Sequence, residues 1–526
     1  MPDFEVTTLD LVIVVIYILG ILGLGIYIGR QQKDSGGFFL GGRGAIWPII
    51  GLSLMSANLS GTSYVGLAGA GYDDGIAVWN YEWIATVVLV FFAVFILPFY
   101  LRSKVETMPE FLEKRYSRRT RYVFSGFSVV TAIFIDSAGA LFAGALTLQL
   151  LFPEYSLWFL VVVIAVLAGG YVILGGLRAV MITDTVQAVL LLIVGTVIFF
   201  MLFREMGSWE AIRNAAPEGG FTLFKPADDD FLPAPGILTG VLWLGLYYWI
   251  ANHVVVQKVL AARDTNHGRW GVLLAGALQL PFLFILIMPG MMGREFFPDL
   301  EDPDHIWPAL VFDFLPVGIR GLALAALIAA LMSTLDSVLN GSASMIINDF
   351  VKTRKKDMDE ARLLWLSRAA VAGLMVIAAL WAPMIGMFGN IVEYFQSFLG
   401  HLTMPVVVVF LGGLFWRGGT ADAAFWTLAI GVPVGIIAFM LGQVLEVFQI
   451  QFLYAAGLML LFSAALFVVV SLRTETGDTD LDELTWSRRF WDEESDELKE
   501  IPAWQNYRYI GIVLIAITAV MVAIFA

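Results

Sequence analysis

Fourteen apolar runs, each long enough to cross a lipid bilayer, divide this chain of 526 residues. A transmembrane helix needs about 20 consecutive apolar residues, and backbone in hydrocarbon must satisfy its own hydrogen bonds. The fourteen runs leave little sequence for a soluble domain, and 59% of all residues are hydrophobic. The sequence therefore predicts an all-α integral membrane protein with about 14 transmembrane helices. The runs lie at roughly 10–29, 45–70, 78–101, 122–148, 157–174, 180–203, 236–257, 270–292, 319–348, 363–382, 388–414, 421–441, 450–472 and 507–525.

Composition excludes several classes of function. The chain has no cysteine, so disulfides and thiol chemistry are absent, and its net charge of -14 argues against nucleic-acid binding. Its four histidines are too scattered for a zinc motif, and no Walker loop is present. We therefore expect neither an enzyme nor an organic cofactor. Residues 1–5 are acidic where a signal peptide would be basic, so we expect the first run to be a retained helix.

Positive charge predicts how the chain is oriented, because lysine and arginine are retained on the cytoplasmic side. With fourteen spans, 26 of the 31 basic residues fall in alternate loops on one side. The sequence therefore predicts that both termini lie outside. The five basic residues on the outer side are Arg204, Arg213, Lys225, Arg294 and Arg320.

Two of the apolar runs contain polar interruptions. The second run is interrupted at 56–63 and the seventh at 245–252, five runs later. Matching breaks in two halves of opposite orientation are typical of an inverted-repeat transporter whose broken helices form a site at the membrane midplane. The alternative is close helix contact through small residues.

One face of the ninth run is polar. Ser333, Asp336, Ser337, Asn340 and Ser344 follow a spacing of three or four residues, so a helix would place them on one face. Polar groups inside a membrane usually mark an ion or substrate pathway. Small neutral oxygens at that depth suit a desolvated sodium ion.

The segment from Gly175 to Gln187, Gly-Gly-Leu-Arg-Ala-Val-Met-Ile-Thr-Asp-Thr-Val-Gln, resembles the signature of the solute:sodium symporter family. Residues 56–60, 81–83, 247–249, 314–318 and 413–416 are similar to its sodium/galactose and sodium/glucose cotransporter branch. The resemblance implies a LeuT-type core of 5+5 inverted repeats in a multi-pass protein of the bacterial cell membrane. The implied units are an extra N-terminal helix and cytoplasmic loop at 1–44, the repeats at 45–203 and 236–414, and C-terminal helices at 421–526 with an acidic cytoplasmic loop at 473–506.

The same resemblance implies where sodium, the co-transported ion, would bind. A possible second sodium would use Asp184 and Ser337, with Asp336 at a position where relatives have a hydroxyl. Asp336 would either strengthen cation binding or pair with an arginine, so one or two ions per cycle remain open. For Ser333, the alternative is a hydroxyl that bonds back to its own helix. The implied principal ligands are the carbonyls of Ser56, Leu59 and Ala330 and the side chains of Ser333 and Thr334.

The implied substrate contacts combine amides, a carboxylate and aromatic rings. A carboxylate such as Glu82 accepts from two neighbouring hydroxyls, while amides both donate and accept, as a polyol requires. Gln279, Ser63 and Gly245 depart from the residues of the sugar-transporting relatives, which changes the donors of the pocket. The substrate residues would be Asn58, Ser63, Glu82, Tyr248, Trp249, Gln279 and Gln396, and the gate Leu67, Tyr81, Val392 and Tyr248.

We therefore expect sodium-coupled import of a neutral, glucose- or galactose-like sugar or polyol by alternating access. Alternatives are symport of myo-inositol, sialic acid, proline or a monocarboxylate, and a transporter-like sensor. The expected lack of an inward lysine or arginine, together with Asp136, argues against a carboxylate substrate. The expected partners are the small-molecule substrate, sodium and the lipid bilayer; the oligomeric state remains open.

Overall fold

Every regular secondary-structure element in the part of the chain that the structure, a computed structural model, describes is a helix. The structure describes residues 6–30, 35–59, 61–355, 358–388, 391–445, 447, 450–475, 481–482 and 484–526, without the side chains of a few helical residues. Among these residues, eleven helices are long and apolar enough to cross a membrane, and two shorter apolar helices accompany them. The all-α prediction is therefore confirmed.

The N-terminal half contains the first predicted break. One helix ends at Asn58, Leu59 leaves helical geometry with φ −78° and ψ 72°, and the next helix begins at Gly61. The break at 56–63 is therefore confirmed. The helices of this half are α1 (Thr8–Gly29), α2 (Ser35–Leu40), α3 (Trp47–Asn58), α4 (Gly61–Asp74), α5 (Asn80–Phe91), α6 (Leu97–Arg102), α7 (Met108–Arg115), α8 (Arg118–Thr131), α9 (Ala138–Leu151) and α10 (Leu157–Met206).

The 50 residues of α10 form two helical segments that meet at Gly176. Gly176 has φ 60° and ψ −170°, a conformation that only glycine adopts readily. A Cβ atom there would lie 2.6 Å from the carbonyl oxygen of Phe38, so the close approach of α2 also requires glycine. The break lets the chain turn between two apolar segments without a loop.

The second half contains the matching break at Asn252. Its ψ of 115° ends a helical stretch that began at Ala234, and its side chain accepts a hydrogen bond of 2.9 Å from the backbone N–H of Val254. Asn252 thus caps the next half-helix. The helices are α11 (Trp209–Ala215), α12 (Ala234–Gly236), α13 (Leu242–Leu246), α14 (His253–Leu260), α15 (Thr265–Gln279), α16 (Met288–Phe296), α17 (Ile306–Phe314), α18 (Ile319–Met345), α19 (Glu360–Trp381), α20 (Ile391–Leu402) and α21 (Met404–Phe415).

Four helices follow the second half: α22 (Ala421–Phe439), α23 (Phe452–Ser471), α24 (Arg488–Glu497) and α25 (Tyr507–Phe525). Glu494 of the short helix α24 forms an ion pair with Arg269 of α15. It also accepts a hydrogen bond of 2.6 Å from the hydroxyl of Tyr507 in α25. The acidic segment before α25 is therefore anchored by at least one buried ion pair.

Helix α18 lies at the centre of the bundle. It packs against α10, α1 and α3, and nearly all of its residues from Ala323 onward are buried. The outer helices α1 and α25 instead expose large apolar side chains, as expected where a helix faces lipid. A buried helix that contains hydroxyls and carboxylates is the position in which a polar site can form.

Candidate functional site

A cavity of about 290 Å³ lies where the two broken helices meet. Its wall combines residues beside both breaks with residues of α5, α18 and α20. Cavities of this kind, mostly apolar with a few converging polar groups, are where small ligands bind. The predicted residues that line it are Asn58, Leu67, Tyr81, Glu82, Tyr248, Trp249, Thr334, Ser337 and Gln396.

The amide of Asn58 organises one end of the cavity. Its Nδ2 donates to Glu82 Oε2 at 3.2 Å and to Gln279 Oε1 at 2.9 Å. Both amide hydrogens are thereby used, which leaves Oδ1 as an acceptor for a ligand hydroxyl. Gln279 is not among the residues that line the cavity and is fully buried, so its contact with the cavity passes through Asn58.

Tyr248 joins the two breaks. Its hydroxyl donates a hydrogen bond of 3.1 Å to the carbonyl oxygen of Ala57, at the end of α3. That carbonyl belongs to the last turn of α3, where carbonyls have no partner four residues further along the same helix. The ring of Tyr248 forms part of the cavity wall and meets Trp249 edge-on, with 5.0 Å between the ring centroids.

Buried hydroxyls beside the cavity connect α3 to α18. Ser56 Oγ donates to Ser333 Oγ at 2.8 Å, and Ser333 Oγ donates to Asp184 Oδ1 at 2.7 Å. Ser333 thus bonds to neighbouring helices rather than to its own, which excludes the alternative raised from the sequence. Thr334 does bond back to its helix, donating to the carbonyl oxygen of Ala330 at 3.1 Å.

The comparisons identify the family of this chain. Residues 38–431 match the family model of the sodium:solute symporter family. The sodium/glucose cotransporter 4 of Mus musculus is 33% identical over 93% of this chain and 79% of its own length. The chain belongs to the sodium:solute symporter family. A sodium/glucose cotransporter of Vibrio parahaemolyticus is 30% identical over 90% of this family member and 92% of its own length.

Solved structures show that the fold of this symporter-family chain is shared. A substrate-bound, outward-open sodium-coupled sialic acid symporter aligns with a TM-score of 0.79 and 20% identity, over 91% of this chain and all of that one. Mhp1, a transporter of the nucleobase-cation-symport-1 family, aligns with a TM-score of 0.55 and 13% identity, over 83% of this chain and 96% of its own. At these identities the likeness concerns the fold alone.

The lining of the cavity in this symporter-family member is acidic. Glu82 and Asp136 both belong to it, and the described residues around it include neither lysine nor arginine. Glu82 is only 6% exposed. A pocket with carboxylates and no basic group disfavours an anionic ligand.

The sequence analysis missed buried Lys258, because the count of basic residues in alternate loops assigned it to a loop. It is 0% exposed and its Nζ lies 2.7 Å from Asp184 Oδ2, so the expectation that no basic side chain points inward was wrong. Ser53 was also missed, although it lies one helical turn before Ser56 on α3. The available signal for Lys258 was an isolated lysine inside an apolar stretch, separated from three consecutive valines only by Gln257.

Four further predicted residues, together with Ser337 of the cavity wall, divide into three groups. The oxygens of Asp336 and Ser337 are buried without a hydrogen-bond partner among the described residues, so no arginine pairs with Asp336 there. Leu59 is buried at the first break. The side chains of Ser63 and Val392 lie outside the described part of the structure.

Proposed function

We propose that this chain is a sodium-coupled secondary active symporter that imports a neutral, glucose- or galactose-like sugar or polyol by alternating access. The observation that carries this proposal is the cavity at the two helix breaks, with amide, carboxylate and aromatic groups beside the Ser56–Ser333 hydroxyl pair. Family membership supports sodium coupling, and the sodium/glucose cotransporter relatives support the sugar.

The polar groups of the cavity suit a polyol. Glu82 supplies carboxylate oxygens that accept from hydroxyls, Asn58 keeps its Oδ1 as an acceptor, and Gln396 both donates and accepts from α20. Tyr248 and Trp249 provide apolar ring surface against which the carbon skeleton can pack. In this assignment Gln279 positions Asn58, Ser63 completes the substrate set, and Leu67, Tyr81, Val392 and Tyr248 form the gate.

For sodium we propose the carbonyls of Ser56, Leu59 and Ala330 with the side chains of Ser333 and Thr334. Unwinding of α3 at Leu59 frees carbonyls, and neutral oxygens can replace part of the water shell of the ion. Ser56 and Asn58 are two residues apart on the same broken helix. Ion binding that orders this break therefore also orders the substrate groups, which couples the two binding steps.

A second sodium, if one binds, would use Asp184 with Asp336 and Ser337. The oxygens of Asp336 and Ser337 have no partner among the described residues, whereas Asp184 already accepts three hydrogen bonds. Because the oxygens of Asp184 already have donors, we favour a single sodium ion.

For the whole molecule we propose the LeuT-type arrangement of 14 transmembrane helices in a bacterial cell membrane. The repeats would comprise 45–203 and 236–414, preceded by 1–44 and followed by 421–526, with the acidic loop 473–506 cytoplasmic and both termini outside. The paired breaks at Leu59 and Asn252 support the inverted repeats.

Uptake into proteoliposomes tests the proposal. Radiolabelled glucose, galactose, myo-inositol, proline, a monocarboxylate and sialic acid would each be offered with a sodium gradient and with an equal potassium gradient. We expect sodium-dependent uptake of a sugar or polyol only. Uptake of an anion or amino acid instead, or uptake that is independent of sodium, would contradict the proposal.

A further inference from the structure

Two oppositely charged side chains, Lys258 and Asp184, contact each other beside the hydroxyl pair of Ser56 and Ser333. The distance from Lys258 Nζ to Asp184 Oδ2 is 2.7 Å, and both side chains are 0% exposed. Taking two charges out of water is costly, so a pair at this depth must be closely matched.

Each oxygen of the Asp184 carboxylate already has protein donors. Oδ1 accepts from the hydroxyl of Ser333 at 2.7 Å, and Oδ2 accepts from the hydroxyl of Ser53 at 2.7 Å and from Lys258. Lys258 Nζ also donates to the carbonyl oxygen of Ser53 at 2.9 Å. The cluster therefore joins α3, α10, α14 and α18 and leaves no oxygen of Asp184 without a partner.

The charge balance limits what else can bind at this carboxylate. One buried negative charge needs one positive charge, and the ammonium group supplies it. A sodium ion bound at Asp184 beside the ammonium group would place two positive charges against one carboxylate. Sodium and the ammonium group are thus alternatives at Asp184.

We propose that Lys258 is a built-in cation that takes the place of a second sodium ion at Asp184, so that the protein binds one sodium per cycle. This inference rests on the proposed sodium symport and specifies its stoichiometry. Because the ammonium group is tethered to α14, it neutralises Asp184 without crossing the membrane. Each cycle then moves the charge of a single sodium ion.

Equilibrium binding of ²²Na⁺ to the purified protein in lipid nanodiscs tests the inference. The measurement is made in the absence of sugar, and choline chloride keeps the ionic strength constant. We expect one sodium per chain in the wild type and in Lys258→Arg, which keeps the charge. Lys258→Met exposes Asp184 to the ion, so we expect two sodium ions per chain and a melting temperature that rises more steeply with sodium. The double variant Asp184→Asn/Lys258→Met has neither charge, so we expect it to bind one sodium per chain again.

Two sodium ions in the wild type, or one in folded Lys258→Met, would overturn the inference. Lys258→Gln replaces Lys258→Met if the latter does not fold. If neither folds, the double variant decides: one sodium at wild-type affinity supports the inference, and loss of all binding overturns it, because Asp184 would then belong to the principal site. A wild type that binds no sodium would overturn the proposed function as well, which separates the two failures.

Discussion

The hydroxyl of Ser56 donates a hydrogen bond of 2.8 Å to the hydroxyl of Ser333, across 277 residues of sequence. Ser56 lies three residues before the first break, and Ser333 lies on the central helix α18. Both side chains are fully buried. The bond places the broken helix directly against the polar face of α18, where an ion could contact both.

The first prediction concerns Ser333. Ser333→Ala removes an oxygen from the proposed sodium site and one donor from Asp184, so we expect sodium-dependent uptake to be abolished while the protein remains folded. Sodium affinity is measured by ²²Na⁺ binding, and folding by size-exclusion profile and melting temperature.

Ser342→Ala is the matched control for Ser333→Ala. Ser342 is buried on the same helix, and its hydroxyl has no hydrogen-bond partner among the described residues. We expect this variant to retain sodium binding. Unchanged sodium affinity in Ser333→Ala would remove Ser333 from the proposed ligands.

The second prediction separates the ring of Tyr248 from its hydroxyl. Tyr248→Phe keeps the ring and loses the hydrogen bond to the carbonyl oxygen of Ala57. Because one hydrogen bond contributes about 0.5 to 1.5 kcal/mol, we expect a roughly two- to tenfold loss of apparent sugar affinity. Tyr248→Ala removes the ring too and should weaken binding further. The concentration dependence of uptake measures both, with exposed Tyr155→Phe as the control. Equal losses in the two Tyr248 variants would show that the ring makes no separate contribution.

The helix breaks were predictable because their signals are local. A polar stretch inside an apolar run is visible without knowing what packs against it, and the breaks at Leu59 and Asn252 fall inside the predicted segments. The polar face of α18 was equally visible, because its spacing alone puts Ser333 and Asp336 on one side.

The pairing of Lys258 with Asp184 was not predictable in this way. The two residues are 74 positions apart, and a lysine at the end of an apolar run ordinarily extends toward the membrane surface. Only the packing of α14 against α3 and α18 turns Lys258 inward. Gln279 is similar, since its place behind Asn58 depends on how α15 packs against α3.

The third prediction concerns pH and Asp304, in the loop before α17. Burial raises the pKa of Asp304 from 3.8 to about 6; the charge of Asp302 raises it too, and His305 opposes both. A folded-state pKa above the unfolded value means that the native protein binds more protons between these values, so stability falls as pH rises from about 4 to 6.

Asp304→Asn should remove that part of the pH dependence. We expect it to stabilise the protein at pH 7 by up to about 3 kcal/mol, since one pKa unit corresponds to about 1.4 kcal/mol and Asp304 is partly exposed. Melting temperatures of wild type and variant from pH 4 to 8 measure the effect. Curves that stay parallel over this range would show that Asp304 has no raised pKa.

The last prediction concerns the substrate and Glu82. Glu82→Gln keeps the shape of the side chain but turns two acceptor oxygens into one acceptor and one donor, so one sugar hydroxyl loses its partner. It also removes the charge that the amide of Asn58 contacts at 3.2 Å. A hydrogen bond to a charged group is worth about 1.5 to 3 kcal/mol, so the apparent affinity for a neutral sugar should fall roughly tenfold or more. Gln396→Ala should weaken binding similarly from α20, and Glu210→Gln, at an exposed position of α11 outside the cavity, should have no effect. For a carboxylate substrate, loss of the negative charge at Glu82 would improve binding or leave it unchanged, so an improved affinity in Glu82→Gln would rule out the sugar assignment.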